Sequence, residues 1–435
     1  MLQGLLKKAQ AVAEQAEVFW VSQRETPVVF EANRLKLLQS RETERVVLRL
    51  VKEGHIGVSS TNNLKDQDGL LQRALEVVPY GAEAKFTLPG ATEYLTVEVY
   101  DPAVEQVTIE DMVELGQSMI DRVRREHSNL QCEARVVKAT YTVGILNSRG
   151  GAATYTKSLC AISLEGTRVQ GTDMLFVGEQ QVSPHPIRDH KTVTDTVLQQ
   201  LEYARETAPA PAGPVPVVFN FHGVAQVIEP SLAIAVNGKT VLQGASPLGD
   251  KLGQKVFDER LTVWDDPTVS DCAGSRICDD EGVPSQRTPL VERGVVRQFL
   301  YDLQTAALAG ARSTGSASRA MGSLPTPSPS VMVIEPGDTP YQDLIADMKE
   351  GLLIEDLLGA GQSNVVGGDF SGNILLGYKI EKGRVIGRVK NTVVAGNIYQ
   401  VLREGIVLSR ERRWVGGALL TPAISCRGVS VSTKG

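Results

Sequence analysis

Aromatic side chains are scarce, at 5% of 435 residues, so the cores must be built from Val, Leu, Ile and Ala. No apolar run reaches the ~20 residues of a bilayer-spanning helix, and Met1 opens into an amphipathic helix without a signal pattern, so no membrane partner is expected. Basic clusters are short: Arg122, Arg124 and Arg125, then Arg412 and Arg413. With a formal charge of −6, the chain lacks the basic stripe that a phosphate backbone requires, which argues against a nucleic-acid partner. The five cysteines (Cys132, Cys160, Cys272, Cys278 and Cys426) are odd in number and form no CxxC pair. A disulfide framework is therefore not expected, and a reducing cytoplasm is the expected location. There is no GxSxG elbow, Walker A lysine or EF-hand loop. A zinc helix needs two imidazoles about one turn apart, with a carboxylate beside them to take a proton from metal-bound water. The segment from Val217 to Leu232 contains His222 and Glu229 but no second His, so it cannot close such a site.

What is present is ordinary for a globular protein: 42% hydrophobic and 22% charged residues, with 41 glycines that favour turns and short strands. The length predicts two or three domains. Residues 2–16 carry Leu2, Leu5, Leu6, Ala9, Val12, Ala13 and Ala16 on one helical face. Strands are predicted over 17–21, 27–31, 44–51 and 55–60, and helices over 64–78, 107–126 and 189–205. A long hairpin joins 132–146 to 152–164 across Asn147-Ser148-Arg149-Gly150-Gly151, and a further strand runs over 167–177. The stretch Thr207-Ala208-Pro209-Ala210-Pro211-Ala212-Gly213-Pro214 reads as a stiff, extended linker. It divides the chain into an N-terminal α/β domain (1–206) with a largely antiparallel sheet and flanking helices, a linker (207–216), and a C-terminal β-rich domain (217–435). In the second part, helical signals occur near 224–236, 301–311 and 341–350. The fold class is α+β. Gly322-Ser323-Leu324-Pro325-Thr326-Pro327-Ser328-Pro329-Ser330 reads as an extended surface loop.

Candidate chemistry is sparse. His185 and His190 flank a Pro-rich turn with no zinc spacing and read as exposed loop residues. His55 and His127 sit at a strand start and a helix end. His222 lies in a strand-to-helix loop, where a backbone hydrogen bond is expected. Acidic neighbours around Cys272 and Cys278 disfavour a thiolate nucleophile, and Cys426 reads as a buried strand residue. Gly359-Ala360-Gly361-Gln362-Ser363-Asn364 lacks the third glycine and the following helix of a dinucleotide site. Polar, Gly-rich strings remain: Asp279-Asp280-Glu281-Gly282, Ser313-Thr314-Gly315-Ser316-Ala317-Ser318-Arg319, Gly367-Gly368-Asp369-Phe370-Ser371-Gly372 and Val394-Ala395-Gly396-Asn397. They read as turns between strands, or as backbone left free to pair with an extended peptide.

These strings occur in order with Arg41-Glu42, Gly57-Val58-Ser59-Ser60-Thr61-Asn62, Gly253-Gln254-Lys255-Val256, Val263-Trp264-Asp265-Asp266, Gly351-Leu352-Leu353-Ile354 and Gly377-Tyr378. The ordered set resembles the TldD/PmbA family, historically called modulators of DNA gyrase, over nearly the whole chain. One kind of subunit in that family carries an HExxxH zinc motif and a later Cys ligand. The PmbA (TldE) kind lacks both and partners the active kind. The resemblance places the motif near Val227, Ile228 and Leu232, which puts this chain on the PmbA side. It implies a two-domain α+β subunit, dimers enclosing a cavity, and peptides handled in extended form. The expected role is a non-catalytic subunit of a heterodimeric zinc metalloprotease, with no metal or catalytic residue of its own and with zinc in an HExxxH-bearing partner. The alternative is a stand-alone peptide-binding or scaffold homodimer. Direct regulation of gyrase or DNA, which the −6 charge and missing basic patch argue against, and a self-sufficient enzyme using His222, Glu229 or Cys272, which no base–nucleophile spacing supports, are the remaining readings. Candidate peptide-groove residues are Asp280, Glu281, Gly282, Thr314, Gly315, Arg319, Gly368, Asp369, Phe370, Ser371 and Asn397.

Overall fold

Strict alternation over long stretches builds the N-terminal half. In the computed structural model, which describes residues 2–320 and 322–433, the predicted hairpin is longer than its apolar pattern suggested. The elements in order are α1 (Leu2–Gln10), β1 (Gln15–Glu31), β2 (Arg34–Leu38), β3 (Arg41–Lys52), β4 (His55–Thr61), α2 (Gln67–Val77), α3 (Ala103–Gln106), α4 (Ile109–Glu126), β5 (Gln131–Asn147), β6 (Ala152–Gln170), β7 (Asp173–Ser183) and α5 (Lys191–Tyr203). The strands form one antiparallel sheet in the order β4-β3-β1-β5-β6-β7, with β2 beside β1. Helices α1 and α2 cover one part of it through Leu5, Ala9, Leu70 and Ala74. Helices α4 and α5 cover another through Met112, Met119, Val123, Val193 and Val197.

Two sequence expectations change here. Residues 17–21 and 27–31 form one strand, β1, with Pro27 inside it. Pairing with β3 ends at Glu25 and pairing with β2 begins at Val28, so on that side Pro27 falls between two partners, while β5 pairs throughout on the other. Residues 152–164 and 167–177 are likewise not separate units. Strand β6 runs on to Gln170, and the chain reverses at Gly171, whose φ of 64° an L side chain tolerates poorly.

The C-terminal half contains β8 (Gly213–Phe219), α6 (Phe221–Ala235), α7 (Gly238–Leu242), β9 (Val263–Asp265), β10 (Thr288–Glu292), β11 (Val295–Val296), α8 (Leu303–Ala309), β12 (Ala317–Ser318), β13 (Thr326–Pro327), β14 (Met332–Ile334), α9 (Tyr341–Ala346), β15 (Glu350–Leu358), β16 (Asp369–Glu381), β17 (Arg384–Arg388), β18 (Thr392–Asn397), α10 (Ile398–Val401), β19 (Val407–Val415) and β20 (Leu419–Thr433). Strands β20, β18, β16, β15 and β8 pair in sequence, and β8 pairs back onto β20, closing a barrel. Closure removes the free edges that a long apolar strand such as β15 would otherwise present.

The two domains share a core. Val197 and Leu201 of α5 pack in one cluster with Leu353, Leu376 and Tyr378 of the barrel, and Tyr203 meets Tyr378 edge to face at 5.3 Å. The Pro/Ala stretch is docked against β17: the Ala208 N–H donates to the Arg388 carbonyl at 2.9 Å, and the Arg388 N–H donates to Glu206 at 2.8 Å. The Pro-rich stretch near 325 departs from its expectation as a surface loop. Pro325 and Pro327 are buried, and Asn237 donates to the Pro327 carbonyl at 2.6 Å. No described helix is long and apolar enough to cross a membrane.

Candidate functional site

Helix α6 starts at Phe221, three residues before the expected 224, so His222 lies in its first turn and not in the preceding loop. The side chain of Asn220 accepts from the Gly223 N–H at 2.9 Å and caps the first turn. Removing that cap by Asn220→Ala is expected to lower stability by about 1 kcal/mol, read as a shift of the urea midpoint. Gly223 lets the helix approach β15: a Cβ there would sit 2.8 Å from the Ile354 carbonyl oxygen. Pro230 lies inside the helix rather than at its start, so the Gln226 carbonyl receives no helical N–H from that residue.

Val227, Ile228 and Leu232 occupy the face of α6 where the resemblance places metal ligands. All three are buried in the barrel-side core with Val224, Phe219 and Ile354. Aliphatic side chains have no lone pair to give a metal, so this donor set does not fit zinc. Among the described residues, no group of three or more His, Cys, Asp or Glu side chains is placed to hold a metal ion.

The first turn of α6 instead opens onto a polar cleft of about 400 Å³ between the domains. His222 and Gln226 contribute from α6, Glu355 and Asp356 from β15, Gln200 from α5, and Glu179 from β7. His222 Nε2 lies 2.8 Å from Glu179 Oε1, so its partner is a side chain and not the backbone that the sequence predicts. Burial lowers the affinity of His222 for a proton, but the hydrogen bond and charge of Glu179 outweigh it, and the imidazole pKa is raised overall. Arg413 stands 3.8 Å from the other Glu179 oxygen. Gln226 bridges β15, donating to Asp356 and accepting from the Leu357 N–H.

Gln200 acts as a surrogate strand at the edge of β7. Its amide accepts from the Gly178 N–H at 2.9 Å and donates to the Gly178 carbonyl at 3.1 Å. The same Nε2 donates to Glu355 Oε2 at 2.8 Å. Glu355 is only 8% exposed, and burial pushes its carboxyl up to about 7, against the opposing effects of Gln200 and His222.

The sequence-derived groove residues fall into two groups. Asp280, Glu281, Gly282, Thr314, Gly315 and Arg319 come together in a buried polar layer between the domains. There Arg49 of β3 donates to Glu17 at 2.8 Å and to Glu281 at 2.6 Å, and Arg319 completes the chain by donating to Glu17. The other Glu281 oxygen accepts from the Leu303 N–H at the start of α8. Asp279 takes three backbone N–H groups, from Glu281, Val283 and Ala317. The Thr314 and Ser316 hydroxyls pair at 2.8 Å, and the Gly282 carbonyl accepts from Tyr94. The second group lies where β16 meets β18. Asn397 donates to Asp369 and to the Gly367 carbonyl, both at 2.8 Å. Gly368 sits at a φ of 81°, Ser371 is exposed, and Phe370 points into the core against Phe219 at 5.9 Å. Strand β18 already takes one edge of Asp369–Ser371.

The remaining candidates resolve simply. Cys272, Cys278 and Cys426 are buried, and burial first of all raises each thiol, with Cys278 and Cys426 at about 12. His185 is not a free loop residue: its ring bridges Asp101 at 2.9 Å and Asp271 at 2.6 Å. Glu179, Gln200, Glu355 and Arg413 escaped the sequence reading because they come from four separate elements. The one available signal was the acidic pair Glu355-Asp356 inside the apolar run of β15.

Comparison with known proteins fits this architecture. A family model described as PmbA/TldA metallopeptidase C-terminal domain matches residues 212–433, and the corresponding domain 1 matches residues 16–78. A protein from Methanocaldococcus jannaschii is 25% identical over 98% of this chain and 99% of its own length. A metalloprotease TldD homolog from Haemophilus influenzae is 27% identical over 69% of this chain and 65% of that protein. The crystal structure of TldE from Thermococcus kodakarensis superposes with a TM-score of 0.91 at 22% identity, covering 99% of both chains, which shows a shared fold.

Proposed function

The chain belongs to the PmbA/TldA metallopeptidase family, and we propose that it serves there as a subunit without a metal centre of its own. In this reading it helps to enclose the substrate cavity and holds extended peptides, while an HExxxH-bearing TldD-type partner supplies the zinc. The observation that carries the proposal is the apolar face of α6: Val227, Ile228 and Leu232 are packed into the core where ligands would have to stand free. The likeness to a solved TldE and to a TldD homolog supports the same division of labour. Among the groove candidates, the exposed Asp369 and Ser371 are the side chains best placed to meet a peptide.

The test is metal content and peptidase activity of the purified chain, alone and mixed with an HExxxH-bearing relative. The expected result is no stoichiometric zinc and no cleavage alone, with cleavage on mixing above the level of the relative by itself. Stoichiometric zinc or cleavage by this chain alone would overturn the proposal.

A further inference from the structure

Glu355 is the most buried of the cleft carboxyls that have no charged or backbone partner among the described residues. Glu179 has His222 at 2.8 Å, Arg413 at 3.8 Å and the Gln180 N–H at 2.8 Å. Asp356 has the Gln226 amide. Glu355 receives a single neutral donor, Gln200 Nε2 on Oε2, and forms no ion pair among the described residues. Oε1 is left without a hydrogen-bond donor yet is not sealed off, and the residue lines the cleft. A carboxyl buried with half its acceptor capacity unmet costs free energy, and packing alone gives no reason to keep it.

The missing partner has a definable chemistry. Glu165 joins Glu179, Glu355 and Asp356 on the lining, against His222 as the only cationic side chain there. The cleft therefore favours a cation. No three His, Cys, Asp or Glu side chains among the described residues converge there, so the cleft offers no cluster of the kind that holds a metal ion. An ammonium group needs no such convergence: it is satisfied by one carboxylate and a few neutral acceptors. The volume, about 400 Å³, suits one or two residues of a peptide. Phe176, half-exposed on β7 and lining the same cleft, offers an apolar wall beside the polar floor.

We propose that this cleft receives a primary ammonium group of an extended peptide, with the Glu355 carboxylate as its counter-ion and Gln200 holding that carboxylate in place. The proposal rests on the peptide-holding role put forward above and adds a specificity: a free amine, on the chain terminus or a lysine side chain.

Isothermal titration of the full chain near pH 7 with three probes tests it: tetraalanine with a free amino terminus, N-acetyl-tetraalanine, and the N-acetyl peptide with one central lysine. The free-amine peptide is expected to bind at least tenfold more tightly than the acetylated one, and Glu355→Gln is expected to abolish that difference. Recovery of affinity by the lysine peptide supports the proposal and assigns the ammonium to a side chain. No recovery supports it and assigns the terminus. Equal binding of the free and acetylated peptides, a preference that survives Glu355→Gln, or no binding by any probe would each overturn it. The wild-type comparison does not depend on the variant folding. Cleavage on mixing with a zinc-bearing relative, combined with a cleft that ignores the amine, would remove this proposal and leave the subunit role standing. Loss of activity on mixing with the amine preference intact would do the reverse.

Discussion

Replacing Arg49 with methionine is expected to destabilise the fold by about 3–5 kcal/mol, the range for removing one partner of a buried ion pair. Arg49 is 3% exposed and sits between Glu17 at 1% and Glu281 at 0%. Burial works against the charge on Arg49, yet Glu17 and Glu281 more than compensate, and its pKa is raised overall. Burial also pushes Glu281 upward, opposed by Arg49. The two directions conflict, and the geometry favours the ionised pair: a contact of 2.6 Å from a guanidinium nitrogen is a charge-assisted hydrogen bond. Methionine fills much of the volume but leaves the Glu281 carboxylate with only the Leu303 N–H. The carboxyl then gains a proton on folding, so the penalty should shrink as pH falls and grow as pH rises. Urea unfolding at pH 5 and pH 8 measures both effects. A loss below 1 kcal/mol at pH 8 would mean that this network does not hold the domains together. Because Arg49 and Glu17 come from the first domain and Glu281 and Arg319 from the second, the loss should appear in both domains at once.

Glu355→Gln should have the opposite sign. The folded-state pKa of Glu355 is about 7, against 4.5 for an ordinary glutamate. Between those values the native state holds a proton that the unfolded chain has released. The stabilising contribution is therefore complete below pH 4.5 and is lost as pH rises through 7. A shift of that size corresponds to about 3 kcal/mol at pH 8. Glutamine keeps the carbonyl that accepts from Gln200 and never has to ionise. The variant is expected to match the native chain near pH 4.5 and to exceed it by about 3 kcal/mol at pH 8. His222 titrates within the same cleft as Glu179, Glu165 and Asp356, with Arg413 outside the lining but 3.8 Å from Glu179, so the difference between the two unfolding curves is the readout rather than either curve alone. A constant difference across pH would show that Glu355 is ionised at no cost in the native state. A residue whose replacement strengthens the fold while erasing amine recognition would be kept for binding and not for stability.

Much of the architecture was legible from local pattern. The apolar stripe of α4 and its Thr108–Asp111 capping box, the long alternation of β5, and the Asn220 cap of α6 are each written within a few adjacent residues. The lack of an HExxxH motif is equally a property of the string, whereas the finding that no three His, Cys, Asp or Glu residues among those described converge on a metal position needed the fold. That 17–21 and 27–31 form one strand was not local information: β1 is held continuous by β5 on one side, while its partner on the other side changes from β3 to β2 next to Pro27.

The sites belong to the other category. Glu281 and Arg319 read as turn residues open to a peptide, and the fold places them beside Glu17 and Arg49, far away in the sequence. The cleft gathers Glu179, Gln200, His222 and Glu355 from β7, α5, α6 and β15. By itself the sequence determined the α+β class, the element order and the lack of an HExxxH motif. Only the tertiary structure decided which charges are paired and that the buried Glu355 receives a single neutral donor. Secondary structure follows from periodicity along the chain, whereas burial and pairing of a charge depend on what the rest of the molecule brings next to it.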